Sequence, residues 1–181
     1  MPTIKIVLDS IVCYDTEDVT GADDVYLIGG VRVSKGNFRK SKAFVTPNPP
    51  LRINDDQPRH IPIKEKIFEA QVQPGSDLEL GMYLYEQDSS ADVEKLQKLE
   101  DYLDRGLAIS RPSKSVLNLS LSAIQTALVF DDDDQLGRES RFIEINTLPR
   151  GWKRYVAKNF YEGGIGYSTW RYKLYYRIGK F

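Results

Sequence analysis

The 181-residue chain has one cysteine, Cys13, and one histidine, His60. A single thiol excludes an intramolecular disulfide framework and any zinc site built from several thiolates. A single imidazole excludes multi-histidine metal sites. It also leaves any Ser-His-Asp or Cys-His mechanism dependent on one residue, set in the proline-rich stretch QPRHIPI. No segment reaches the roughly 18 apolar residues of a membrane-spanning helix, and MPTIKIVLDS lacks a basic region followed by a long apolar run. A soluble, cytoplasmic protein is therefore expected. Glu162-Gly163-Gly164-Ile165-Gly166 fits neither a phosphate loop nor a dinucleotide fingerprint, and no nucleophile elbow surrounds Ser168. The glycines read as a flexible turn, Cys13 reads as a small core residue, and the chain is not expected to be an enzyme.

What the chain does have is enough apolar sequence for one domain spanning residues 1–181, at 41% hydrophobic residues and 28% charged. Its 25 Lys and Arg nearly balance 26 Asp and Glu, but the signs are sorted by segment. Residues 1–30 carry one base and six acids, and 31–50 carry five bases and no acid. Residues 71–104 carry two bases and nine acids, and 141–181 carry nine bases and two acids.

Alternation of Ile4, Ile6 and Leu8 with Lys5, Val7 and Asp9 marks a first strand, and Val25-Tyr26-Leu27-Ile28 a second. Five prolines between Phe44 and Ile63 predict a long connection with edge pairing rather than a central strand. Residues 66–73 and 78–85 alternate around Pro74-Gly75-Ser76, which predicts a hairpin. The period then changes. Val93, Leu96, Leu99 and Leu103 mark an amphipathic helix over about 91–104, and Leu117, Leu121, Ile124 and Leu128 a second, with Ser113 or Ser115 to cap it. Strand character returns in Arg141–Ile145 and Trp170–Ile178. The fold class expected is mostly β, an antiparallel β-sandwich with a helical hairpin inserted at 91–128.

Three acidic clusters stand beside these elements: Asp15 to Asp18 with Asp23-Asp24, Glu86 to Asp88 with Asp92, and Asp131 to Asp134. Adjacent carboxylates repel, and a cation would recover the stability this costs. Calcium suits such clusters because it takes six to eight oxygen ligands in flexible geometry, which magnesium does not. Solvated acidic loops are the alternative. Asp18-Val19-Thr20-Gly21-Ala22-Asp23-Asp24-Val25-Tyr26-Leu27 resembles the D-x-x-G-x-S-D-P-Y-V pattern that opens the calcium-binding face of C2 domains. Met82-Tyr83-Leu84-Tyr85 followed by Glu86-Gln87-Asp88 is similar to that family's strand and D-x-D. Asp133-Asp134-Gln135-Leu136-Gly137 is similar to its D-D-x-I-G. Asp23 stands in the Ser place, Val25 in the Pro place and Glu86 in an Asp place. The resemblance implies calcium as cofactor, Asp18, Asp24, Glu86, Asp88, Asp133 and Asp134 as its ligands, and the helical hairpin as an insertion in the third calcium loop.

It also implies an interaction module that presents a calcium-filled face to an anionic partner, a phospholipid or a protein, at the periphery of a membrane. Arg32, Lys35, Arg39, Lys40 and Lys42 are the candidate lipid or anion contacts. The other reading of that stretch is a charged edge strand protected from aggregation. The C-terminal 41 residues interleave eleven aromatics with nine bases. A terminal strand with one packed face and a basic outer face accounts for that better than nucleic-acid or glycan binding, so no nucleic-acid partner is expected. The competing function is a metal-independent structural or subunit-interaction protein, whose acidic and basic segments pair with neighbouring copies in an oligomer.

Overall fold

Alternation decides which face of each strand the core receives. The computed structural model describes residues 1–15, 22–54, 59–86, 93–109, 115–127, 134–162 and 170–181. In chain order the elements are β1 (Thr3–Asp15), β2 (Ala22–Lys35), β3 (Phe38–Asn54), β4 (Arg59–Gln71), β5 (Asp77–Glu86), α1 (Val93–Ile109), α2 (Val116–Ala127), β6 (Asp134–Glu144), β7 (Gly151–Glu162) and β8 (Trp170–Lys180). The strands form two four-stranded antiparallel sheets, ordered β4-β1-β8-β7 and β3-β2-β5-β6. Ile4, Ile6 and Leu8 of β1 and Tyr172, Leu174, Tyr176 and Ile178 of β8 are fully buried between the sheets. Facing them are Val25, Leu27, Val31 and Val33 of β2 and Leu78, Leu80, Met82 and Leu84 of β5.

The proline-rich stretch takes in the end of one edge strand, β3, and the start of another, β4, and so is paired more fully than a connection. Leu27 pairs with Thr46 and Val25 with Leu51, so residues 47–50 fall outside the ladder and their missing donors cost nothing there. The segments around Pro74-Gly75-Ser76 correct the predicted hairpin. β4 and β5 belong to different sheets, and the turn carries the chain across the sandwich. β4 and β5 each turn an apolar face inward, and from opposite sheets both faces reach one core.

The two helices form a third layer. Leu99, Leu103, Leu107 and Val116 pack on Tyr26, Ile28, Ala43, Val45, Tyr83 and Tyr85, a second core on the outer face of the β3-β2-β5-β6 sheet. Gly30 and Gly81 face each other in register beneath them. A Cβ on Gly81 would lie 2.6 Å from the Leu117 backbone nitrogen, so only glycine admits α2 this closely, while one on Gly30 would lie 2.5 Å from Leu107 Cδ1 and make that side chain shift. Ser115 caps α2, its Oγ accepting from Asn118 N–H at 3.1 Å.

Polar contacts fix the layer as well. The Val116 N–H donates to Glu79 Oε1 at 2.7 Å, while Glu79 Oε2 holds Arg32, which is 2% exposed, at 2.5 Å. Along the β3 edge, Ala43 N–H donates to Asp104 at 2.9 Å and Val45 N–H to Glu100. Carboxylates one helical turn apart, about 6 Å along α1, thus meet strand donors two residues apart, about 6.8 Å along β3. Burial raises the Glu100 pKa above its ordinary value, Asp101 and Asp104 add to the rise, and Lys42 opposes it.

Candidate functional site

Antiparallel pairing places Asp15, Ala22, Asn54, Arg59, Glu86, Asp134, Glu162 and Trp170, all strand ends, at one end of the sandwich. Across the β2, β5 and β6 ladder, Val25 pairs with Glu86 and Glu86 with Asp134. Two acidic positions from the second and third clusters, 48 residues apart in sequence, are therefore direct cross-strand neighbours in register. Adjacent strands lie about 4.8 Å apart, and like charges at directly opposed positions are destabilising. Glu86 is 6% exposed. Asp24 belongs to the neighbouring position opposite Arg52 and to the other face of β2. Asp18, Asp88 and Asp133 lie outside the described residues, as does the glycine run 163–166. Among the described residues no group of three or more His, Cys, Asp or Glu is assembled around a metal position.

The five bases of 31–50 are not brought into one patch. Arg32 is not a surface contact; it lies under the helical layer in its ion pair with Glu79. Lys35 Nζ donates to the Pro74 carbonyl at 2.5 Å, and Arg39 to the Ala108 carbonyl of α1 at 3.3 Å. Lys40 and Lys42 line a cleft of about 360 Å³ between the β3 and β4 edges, whose walls also carry Glu69 and Asp104. Lys5 and Lys66 hold the Glu69 carboxyl down at about 2, so that cleft keeps charges of both signs.

Other groups pair within the chain. Ser10 Oγ lies 2.9 Å from His60 Nε2, but Ser10 is 1% exposed, and among the described residues no carboxylate orients the other ring nitrogen. The geometry is that of a cross-strand hydrogen bond rather than an activated nucleophile. Inside the sandwich, Glu139 accepts from Arg141 at 2.8 Å and from the Tyr176 hydroxyl at 3.1 Å. Burial, reinforced by Glu139, pushes the Tyr176 phenol well above its ordinary pKa. No helix among the described residues is long and apolar enough to cross a membrane.

Neither a family model nor a curated protein matches the chain. Among solved structures it is similar to a C2 domain of a plant extended synaptotagmin, with TM-score 0.44 and 11% identity over 98% of this chain and 92% of that one. It is also similar to human GIVD cytosolic phospholipase A2 in complex with methyl gamma-linolenyl fluorophosphonate. That match has TM-score 0.43 and 10% identity, over 99% of this chain but 17% of the phospholipase. A further structure described as a C2 domain overlaps with TM-score 0.36 and 12% identity, over 99% of this chain and 98% of its own. At scores this low nothing about this chain's ligands or partners follows from the overlaps.

Proposed function

We propose that the chain is a C2-like interaction module whose loop end gathers calcium and presents it to an anionic partner. The observation that carries the reading is the register of Glu86 opposite Asp134, which sets two acidic strand ends side by side where the first, second and third acidic clusters begin or end. A divalent cation at that end offsets the repulsion and leaves a cationic surface for a lipid phosphate or an acidic protein. Glu86 and Asp134 form the centre of the proposed ligand set, with Asp18, Asp88 and Asp133 from the adjoining segments, and Asp24 contributes from the other face of β2.

The competing, metal-independent assembly drew on the segregated charge. In the fold some of that charge meets its complement internally. Arg177 of the basic C-terminal segment bonds Asp9 of the acidic N-terminal one at 2.8 Å, and Arg32 bonds Glu79 at 2.5 Å. Titration calorimetry of chelator-stripped protein tests the calcium reading. Calcium binds and magnesium does not compete at equal concentration; Glu86→Gln with Asp134→Asn abolishes the heat, and Asp24→Asn weakens it less. Full binding by the double variant would overturn the assignment.

A further inference from the structure

The fold accounts for two of the three stripes of α1. Leu99, Leu103 and Leu107 are buried in the second core, and Glu100, Asp104 and Ala108, one turn apart, bond the β3 edge. The third stripe is Lys98, Asp101, Tyr102, Arg105 and Ile109, which a step of about 100° per residue places opposite the leucines. All five are exposed, Tyr102 at 51% and Ile109 at 84%.

Among the described residues Lys98, Asp101 and Arg105 make no ion pair, although Asp101 and Arg105 stand at the i, i+4 spacing that allows one. Gly106 lies at the rim of the stripe, and a Cβ there would meet nothing within 4 Å. Glycine inside a helix lowers its stability relative to alanine, and no described neighbour demands it here.

We infer that this stripe is a self-recognition surface, on which α1 of a second copy of the chain packs antiparallel across a twofold axis near position 103. A twofold exchanges positions on either side of its axis, so each Asp101 meets the partner's Arg105 and each Arg105 the partner's Asp101. The same symmetry lays Ile109 along the apolar stem of the partner's Lys98 and sets Tyr102 beside the partner's Arg105. Gly106 leaves the rim without a side chain, so the second helix can come close. Charge selects a second copy as the occupant. The stripe complements its own inverted image, whereas a uniformly acidic or basic partner would meet a like charge at Asp101 or at Arg105. From Lys98 to Ile109 the stripe is only about 17 Å long, short of a standard interface, so the dimer is weak and reversible.

The inference does not rest on the calcium reading, and sedimentation equilibrium of the whole chain in excess chelator tests it separately. Over a concentration series reaching about 1 mM, a monomer–dimer equilibrium is expected that weakens with salt. Asp101→Arg and Arg105→Asp each set like charges at both reciprocal contacts and weaken self-association at least about tenfold. Their melting temperatures stay near wild type, because both positions are exposed. Mixed in equal amounts, the two variants associate with each other, since one carries only bases at the two positions and the other only acids. Combining both substitutions in one chain restores self-association. The inference is overturned if the wild type stays monomeric throughout, if either single variant dimerises like wild type, or if the mixture stays monomeric.

Discussion

The outer faces of the two sheets are built on opposite principles. On β3-β2-β5-β6, Tyr26, Ile28, Tyr83 and Tyr85 point away from the sandwich and are buried again under α1 and α2. On β4-β1-β8-β7 the outward positions of β8 are Arg171, Lys173, Tyr175 and Arg177, each at least partly exposed. The contrast explains two kinds of strand sequence. Where both faces are covered, apolar residues run consecutively, as in Val25-Tyr26-Leu27-Ile28 and Met82-Tyr83-Leu84-Tyr85; where one is bare, they alternate with bases.

Equivalent changes on the two faces should therefore have unequal consequences. The largest contrast lies in the ion pairs. Arg32→Ala leaves Glu79 without its buried partner and should cost about 3–5 kcal/mol in denaturant unfolding. Lys5→Ala, in a pair whose side chains are each 35% exposed, should barely move the midpoint. Equal effects would mean that the helical layer does not seal its face. Next come apolar truncations: Leu107→Ala should cost about 2–5 kcal/mol, by loss of burial plus a cavity. Val156→Ala, on the half-buried outer face of β7, should cost less than half as much. A comparable loss at both sites would show that the open face is covered in solution. The smallest effect is in acid. Lys5 and Lys66 lower the Glu69 pKa from 4.5 to about 2. Its stabilisation is present above the unfolded value and is lost as pH falls from 4.5 toward 2. Glu69→Gln should remove a shallow slope from that window and nothing above it.

Strand and helix periods were legible because each element answers to its own neighbours two to four residues away. Leu99, Leu103 and Leu107 even carry the helical stripe beyond the expected end at 104, and α1 runs on to Ile109. Pairing between distant strands was less legible. β4 and β5 look like a hairpin locally, but long-range partners β1 and β2 place them in different sheets. β7 carries little local strand signal because Lys153 and Arg154 put bases on both of its faces ahead of inward Tyr155 and Ala157, and its partner β8 lies beyond an unpatterned stretch. The basic segment misled for a similar reason: Arg32 is a surface residue by composition and a buried one by register with Glu79. For the candidate site, the acidic clusters could be seen, while the pairing of Glu86 with Asp134 depends on a ladder closed across the helical insertion.

Thermal unfolding of chelator-stripped protein across a calcium titration, with magnesium as control, addresses the calcium-gathering loop end most directly. At one hundred times the dissociation constant, binding to the native state alone adds about 2.7 kcal/mol, a rise of roughly 5–10 °C for a domain of this size. The account predicts that rise with calcium, little with magnesium, and none when Glu86→Gln is combined with Asp134→Asn. An unchanged melting temperature at millimolar calcium would contradict it.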